Sequence, residues 1–396
     1  MFRIALKMLT ADRAKCVGLL FGIAFTSFLV TFAASYFCGF MTNGFALIAE
    51  NGATDVWVMD PAVESVEQTI NMPTSALDRV RSVQGVGHAV PLAMGTADVR
   101  FANGQFQTFQ IIGVDDASLA GAPVVPGRKP DELRARNAVI VDAGGTTGKL
   151  ETPALARDQW PHDGAHLEAP TRELRAGDEL LVNEHLVRVL GQSSTLPRYP
   201  PRPLLYTTLP NALRILPVEP HTLTFVMVRV VAGASPREVA RHIEQRTGLR
   251  ARATADFKSD TVRWFLVNSE DVGDIAAMLT LAMTMGFGVT GVMLYMFTYE
   301  HQSQYAVLKA LGAPSRVLTA MVLVQATMCA LLGTGMGLGL CGIAGEVVVR
   351  LGFPFRMMWF TPLAGLLGVV LVSVAAALIS VRPVVKLQPA IVFAGR

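Results

Sequence analysis

The stretch Tyr305-Ala306-Val307-Leu308-Lys309-Ala310-Leu311-Gly312-Ala313 lies in a short polar connection between two long apolar segments, 275–299 and 317–345. Each apolar segment is longer than the roughly 20 residues that a helix needs to cross a bilayer core. A short, patterned connection between two spans is a place where a membrane protein can be contacted from the cytoplasm. The stretch therefore predicts a membrane protein and is the first candidate for a functional site.

The composition agrees with a chain that is only partly embedded in lipid. Of the 396 residues, 51% are hydrophobic and 16% are charged, against roughly 25% charged residues in an average soluble domain. Four stretches of sufficient length contain no Asp, Glu, Lys or Arg: 16–42, 275–299, 317–345 and 359–381. The first continues without charge to Ala49, too long for the apolar part of a secretory signal, so we expect an uncleaved anchor.

The section between the first two spans has the pattern of a soluble α+β domain. Asn103-Gly104 predicts a hairpin turn between two strands, and Ser235-Pro236 predicts the start of a helix, with Glu238 placed for a capping box. The expected strands are 55–59, 89–101, 106–114, 177–183, 186–190 and 225–231, and the expected helices are 75–83 and 235–248. Residues 115–175 lack periodicity and are expected to be loops or a small subdomain.

Lys and Arg near the spans predict the orientation. Four spans place three basic groups on one side, which we expect to be cytoplasmic: Arg3, Lys7, Arg13 and Lys15; Lys309 and Arg316; Arg382, Lys386 and Arg396. Arg350 and Arg356 on the opposite side are a mild contradiction. The net charge of +3 is thus a topology signal and does not indicate nucleic-acid binding.

The predicted fold class is an α-helical membrane protein with four transmembrane helices and a large α+β exocytoplasmic (periplasmic) domain inserted between the first and second. The expected parts are a cytoplasmic amphipathic segment 1–15, spans 16–42, 271–299, 317–345 and 359–381, the periplasmic domain 43–270, a cytoplasmic coupling helix and loop 300–316, a periplasmic loop 346–358 and a cytoplasmic tail 382–396.

No motif in the chain predicts an enzyme. The runs 286–291 and 337–342 match a dinucleotide fingerprint, yet both lie inside apolar spans, without the strand and the acidic residue that the motif requires. The four cysteines lack zinc-ligand spacing. We expect no catalytic residue, no metal site and no cofactor in this chain.

The connection 300–316 predicts a short helix that begins near Glu300 and ends at Gly312, with Pro314 beyond it. Such a helix either anchors the turn at the membrane surface or docks into a cytoplasmic partner. The candidate coupling residues are Glu300, Gln304, Tyr305, Leu308, Lys309, Leu311 and Gly312.

The third span is rich in glycine, and small residues let membrane helices approach closely. Its glycines predict either tight packing within the chain or a dimer face. The candidates for this role are Gly335, Gly339 and Gly342.

The connection resembles the signature of type VII ABC transporter permeases, the MacB/FtsX/LolC family, which is similar to E-R-x-x-E-h-h-x-L-K-A-h-G-A. Here it reads Glu300-His301-Gln302-Ser303-Gln304-Tyr305-Ala306-Val307-Leu308-Lys309-Ala310-Leu311-Gly312-Ala313. The C-terminal run 382–390 and the strand pair after Gly177-Asp178 resemble the family too. The Tyr-Ala-x-Leu-Lys-Ala part looks closest to the DevC-like branch. His301 and Gln304 stand where the family has Arg and Glu, which predicts a weaker electrostatic grip on a partner.

The resemblance implies a homodimeric permease in the bacterial inner membrane, bound to a separate cytoplasmic ABC ATPase subunit that carries ATP and Mg. Its expected function is mechanotransmission to the periplasmic domain, which drives export of a lipid-like or amphipathic substrate. Expected partners include membrane lipid, a periplasmic membrane-fusion adaptor and an outer-membrane duct, but no nucleic acid. The alternatives are an FtsX-like regulator of an extracytoplasmic enzyme and a lipoprotein-releasing permease.

Overall fold

The computed structural model describes residues 13–101, 103–155, 168–219 and 221–386. Most of the predicted terminal segments 1–15 and 382–396 lies outside these ranges. The chain divides into two compact units. We call them the membrane unit (Met1–Phe40 with Glu270–Arg396) and the inserted unit (Met41–Ser269), and describe each by itself.

The described α-helices are α1 (Arg13–Gly44), α2 (Ala46–Glu50), α3 (Ser75–Arg81), α4 (Leu209–Ile215), α5 (Pro236–Thr247), α6 (Thr254–Asn268), α7 (Glu270–Glu300), α8 (Gln302–Ala310), α9 (Ser315–Arg350) and α10 (Phe360–Lys386). Four of them contain segments long and apolar enough to cross a membrane: Cys16–Gly44, Glu270–Glu300, Ser315–Arg350 and Phe360–Ser380. Together with the mixed α/β inserted unit, they confirm the predicted fold class.

Helix α1 packs against the other long helices at glycine positions. A Cβ atom on Gly333 of α9 would lie 2.7 Å from Ile23 Cγ2, and one on Gly22 would lie 2.9 Å from Val289 of α7. Thr31 of α1 occupies the space beside Gly365 of α10. Because the missing side chains leave room for a neighbouring helix, these glycines allow α1 to contact all three other spans.

The inserted unit is built on a nine-stranded sheet in the order β13-β1-β12-β3-β4-β10-β5-β9-β8. These strands are β1 (Val56–Met59), β3 (Val86–Arg100), β4 (Phe106–Val114), β5 (Ala138–Asp142), β8 (Glu179–Val182), β9 (His185–Ser193), β10 (Leu204–Thr208), β12 (Phe225–Val230) and β13 (Arg250–Ala253). The short pairs β2 (Met72–Pro73) with β11 (Thr222–Leu223) and β6 (Glu151–Pro153) with β7 (Thr171–Glu173) lie outside it.

The long strand β3 belongs to two parts of this sheet. Its first half pairs with β12 and its second half with β4. Near its end, Val99 and Arg100 also pair with Val182 and Leu181 of β8. The pairings β3-β4-β10-β5-β9-β8-β3 therefore close six strands into a barrel, and one face of all six strands shares a single apolar core.

Strand β1 explains why a continuous apolar run can be a strand. Val56 and Val58 belong to a core that includes residues of α3 and α5, whereas Trp57 and Met59 belong to a different core with Phe257 of α6. Side chains alternate between the two faces of a strand. A strand with both faces covered is therefore apolar at every position.

Several strands agree with expectation, whereas β5, β10 and β13 of the main sheet were not predicted. The Asn103-Gly104 hairpin joins β3 to β4, with Gly104 at φ +82, and the pair β8–β9 forms as predicted. The prediction of loops or a small subdomain for 115–175 is wrong for β5, which pairs within the main sheet with β9 and β10. The proline-rich run 197–203 leads directly into β10, which was not predicted. Ser235 precedes α5, but its side chain makes no capping hydrogen bond.

Candidate functional site

The short helix α8 has a well-defined C-terminal end. The Ala313 N–H donates to the Leu308 carbonyl oxygen at 3.0 Å, and the Gly312 N–H donates to the Lys309 carbonyl oxygen at 3.0 Å. This pair of bonds is a Schellman motif, which requires a left-handed residue after the helix. Gly312 supplies it with φ +96. Pro314 then precedes α9, so the connection between α8 and α9 is short and has a defined conformation.

Tyr305 connects α8 to the neighbouring helices of the membrane unit. Its side chain is fully buried and its O–H donates a hydrogen bond to Gln325 Oε1 of α9 at 3.0 Å. The ring belongs to an apolar cluster that also contains Ile23 of α1 and Ala376 of α10. Burial raises the pKa of Tyr305 to about 12, although the hydrogen bond with Gln325 lowers it. The phenol therefore stays a neutral donor at physiological pH.

The opposite side of α8 is exposed and partly apolar. Val307 is 45% exposed and Leu311 is 79% exposed, and Gln304 is exposed as well. At 3.6 residues per turn, positions 304, 307 and 311 fall within about 60° of one another around the helix axis. We call Gln304, Val307 and Leu311 the outer face of α8. An apolar pair on a short exposed helix can enter a groove on a partner.

The structure separates the predicted coupling residues into two groups. Gln304, Leu311 and Gly312 are exposed on α8 or at its end, and Glu300 is exposed as the last residue of α7. Leu308 is half-buried against the cluster around Tyr305. Tyr305 belongs to neither exposed position, because its side chain is inaccessible, and its role in coupling stays a prediction.

Lys309 and Val307 are two further positions on α8. Lys309 is half-buried and already interacts within the protein. Val307 was missed as a candidate, although its spacing of four from Leu311 on a helix could have identified it.

The glycines selected in the third span have no close neighbour among the described atoms. At Gly335, Gly339 and Gly342 no described atom lies within 4 Å of an added Cβ atom. Close packing inside the unit instead involves Gly333, Gly337 and Gly345, because these positions face α1 and Phe355. Both roles, packing within the chain and a dimer face, stay predictions for the selected three glycines.

The bond between Tyr305 and Gln325 should couple the two side chains energetically. Tyr305→Phe is expected to lower the free energy of unfolding by about 1 kcal/mol, because Gln325 loses a buried donor. In the Tyr305→Phe variant, Gln325→Leu should lower the free energy of unfolding by less than it does in the wild-type chain, because the hydrogen bond has already been broken. The measurement is unfolding of the full chain in mixed micelles for both single variants and the double variant. Strictly additive costs would contradict the assigned bond.

Among the residues that the structure describes, no group of three or more His, Cys, Asp or Glu side chains is placed to hold a metal ion. The four cysteines are all free. In the described part of the membrane unit, α8 combines a defined C-terminal geometry with an exposed, partly apolar face.

Residues 276–389, which include α8, match the family model described as FtsX-like permease C-terminal. The chain is also 24% identical over 226 residues to uncharacterized ABC transporter permeases of Mycobacterium bovis and Mycobacterium tuberculosis. These alignments cover 55% of this chain and 58% of each relative. The chain therefore matches less than two thirds of the length of these curated relatives.

Two solved structures are similar to part of the chain. The periplasmic region of MacB from Actinobacillus actinomycetemcomitans is 12% identical, with a TM-score of 0.35, over 56% of this chain and 96% of that one. The extracellular domain of the noncanonic ABC-type transporter YknZ from Gram-positive bacteria is 12% identical, with a TM-score of 0.33, over 50% of this chain and 98% of that one.

Proposed function

We propose that the chain is the membrane subunit of an ABC transporter and couples to a separate ATPase subunit, because residues 276–389 match the FtsX-like permease C-terminal model. The outer face of α8 carries this proposal. Val307 and Leu311 are exposed there, whereas Tyr305 holds the same helix to α9. ATP and Mg belong to the ATPase in this arrangement.

The orientation that we propose rests on the basic residues near the spans. Lys309 and Arg316 flank the end of α8, and the terminal segments 1–15 and 382–396 are basic as well. Lys and Arg accumulate on the cytoplasmic side of membrane proteins. Both termini and α8 would then face the cytoplasm of a cell with this chain in its inner membrane, and the inserted unit would lie in the periplasm.

The packing around Tyr305 suggests how movement of α8 would be transmitted. Displacing α8 pulls on Gln325 of α9 through the hydrogen bond and on the cluster that includes Leu19 of α1. Helix α1 continues along the chain into the inserted unit, and so does α7 in the reverse direction. A push from the ATPase would therefore reach both connections to the inserted unit.

The spans favour mechanical work over conduction of a polar cargo. The segments 16–42, 275–299, 317–345 and 359–381 contain no Asp, Glu, Lys or Arg. Ionisable residues within membrane segments normally mark ion or polar-substrate pathways. We therefore propose that the permease extrudes a lipid-like or amphipathic substrate from the membrane or the periplasm, with a membrane-fusion adaptor and an outer-membrane duct.

A second copy of the chain completes the proposed assembly. Two surfaces of the membrane unit could receive it. One is the side of α9 with Gly335, Gly339 and Gly342. The other is α7, of which 22% is buried in its most apolar window, against 50% for α1 and α9.

The first experiment is to reconstitute the chain in nanodiscs with an ATPase encoded beside it and to measure ATP hydrolysis with and without an adjacent adaptor. We expect a stable complex whose turnover the adaptor stimulates. A complex that is indifferent to the adaptor but activates an extracytoplasmic hydrolase would favour the FtsX-like regulator. ATP-dependent release of a lipoprotein from the membrane would favour the lipoprotein-releasing permease, and failure to bind the ATPase would contradict the proposal for that pair.

A further inference from the structure

The inserted unit contains a cavity of about 860 Å³ beside the hairpin of β3 and β4. Its volume is within the range of small-molecule sites, roughly 300–1,000 Å³. Residues from three separate parts of the unit line it, including Phe106 and Thr108 of β4, Lys149 and Glu151 near β6, and Arg202 before β10. Most of its lining residues are polar or charged, so an apolar ligand does not suit it.

Phe106 gives the cavity an aromatic wall. Its ring is 63% exposed, and the Arg100 guanidinium lies 5.4 Å from the ring centroid. A second cavity of about 450 Å³ shares Thr96, Phe106 and Thr108 with the first. An exposed ring between two cavities can stack on the flat apolar face of a ligand, and the two cavities together suit an extended ligand with repeating units.

The polar groups of the larger cavity offer donors and acceptors together. Gln105 and Gln107 contribute amides, which both donate and accept hydrogen bonds. The Thr108 hydroxyl donates to Asp98 Oδ1 at 2.7 Å, which leaves its oxygen able to accept. Hydroxyl groups of a ligand also donate and accept, so a polyhydroxylated ligand fits this lining.

Two cations give the cavity a preference for negative charge. Lys149 is exposed and makes no ion pair with any other residue in the described ranges. Arg202 Nη1 lies 3.9 Å from Glu67 Oε2, a side chain that is only 16% exposed. Glu151, the acidic residue of the lining, accepts a hydrogen bond from the Thr171 hydroxyl.

Glu67 makes the charge of this site sensitive to pH. Burial raises the pKa of Glu67 to about 7, although the charges of Arg202 and Arg198 lower it. These two arginines are the charged groups that act on Glu67. Below about pH 7 the carboxyl group is mostly protonated, so the positive charge of Arg202 is less compensated and attracts an anion more strongly.

We propose that the two cavities form a binding site for an oligosaccharide whose acidic sugar lies in the larger cavity, since Asp98 and Glu184 line the smaller one. One sugar ring stacks on Phe106, its hydroxyl groups bond to the Gln105 and Gln107 amides, and a sugar carboxylate pairs with Lys149 and Arg202. Binding to this site does not depend on the ATPase coupling proposed above.

The test is calorimetric titration of the full chain in detergent at about pH 6 and about pH 8, the two sides of the Glu67 titration. The probes are tri-galacturonate, neutral maltotriose, a tri-glutamate peptide and inorganic phosphate. We expect tri-galacturonate to bind most tightly, and several-fold better at the lower pH. Glu67→Gln should abolish that pH dependence.

Phe106→Ala and Lys149→Ala should each weaken tri-galacturonate binding about tenfold, equivalent to roughly 1.4 kcal/mol. Both side chains are exposed, so neither variant should affect folding, which thermal unfolding checks. Lys129→Ala removes an exposed lysine outside the cavity lining and should leave binding unchanged. Equal or tighter binding of tri-glutamate or maltotriose would overturn the proposal, as would no binding of tri-galacturonate or full binding by Phe106→Ala.

Discussion

Replacing Leu311 by Asp should uncouple the permease from its ATPase, with association weakened at least about tenfold. Leu311 is 79% exposed at the end of α8 and lies beside Val307 on the outer face of α8. Fully burying a leucine side chain contributes roughly 1.5–3 kcal/mol, enough for about a tenfold change in affinity. An aspartate there would also bury an unpaired charge in the proposed contact. Pull-down and ATP hydrolysis in nanodiscs measure the effect.

The chain offers a closely matched control for Leu311→Asp. Leu351 ends α9, is 62% exposed, and precedes Gly352, which has φ +85. The Phe353 N–H bonds to the Val348 carbonyl oxygen there, as in the motif after α8. Leu351→Asp thus introduces the same charge at the same local position, and should leave ATPase binding unchanged. Equal losses for both variants would show a general effect of the charge and contradict the coupling site.

A second variant separates contact from helix stability. An aspartate near a helix C-terminus interacts unfavourably with the helix dipole, at a cost of about 0.3–1 kcal/mol. Leu311→Lys reverses that sign but still removes the apolar contact. Loss of ATPase binding in both Leu311→Asp and Leu311→Lys supports a direct contact. Loss in the Asp variant alone would indicate that only the end of α8 had been destabilised.

The sequence predicted the features that depend on local pattern. The spans follow from apolar length, the β3–β4 hairpin from Asn103-Gly104, and the end of α8 from Gly312. Strand β5 was missed because its partners β9 and β10 are distant in the chain and its short run, 138–142, stands in a section rich in loops. The pairing of β8 with β3, which closes the barrel, also joins residues that are distant in the chain. No short-range sequence pattern predicts it.

The sequence predicted helix α8 but not which of its sides is buried. Helix α8 carries apolar residues on two sides, Tyr305 with Leu308 and Val307 with Leu311, so periodicity alone does not decide which side is buried. The hydrogen bond to Gln325 decides it, and that residue lies 20 positions further along the chain. The same ambiguity affected the glycines of α9. Because glycines occur on both faces of that helix, the sequence alone did not show which of them face the neighbouring helix.

One added methyl group should lower the stability of the membrane unit on one glycine face of α9 but not on the other. A Cβ atom on Gly337 would lie 2.7 Å from Ser27 Cβ and 3.0 Å from the backbone nitrogen of Phe28, both in α1. Backbone atoms cannot move aside as a side chain can, so Gly337→Ala should destabilise the membrane unit by roughly 1–3 kcal/mol. Gly339→Ala meets no described atom within 4 Å and should leave the thermal stability of the chain in detergent unchanged.

Because of this difference, a substitution at Gly339 can test the proposed dimer. Gly339→Leu adds a larger side chain to a position where no described atom lies within 4 Å of an added Cβ atom, so we expect it to act mainly on a neighbouring chain or lipid. If a second copy packs on this face, Gly339→Leu should reduce the dimer fraction in nanodiscs without changing the stability of the separated chain. Leu340→Ala alters an exposed side chain next to it and serves as the control. An unchanged dimer with Gly339→Leu would instead assign the second copy to α7, because that helix is the least covered of the four spans.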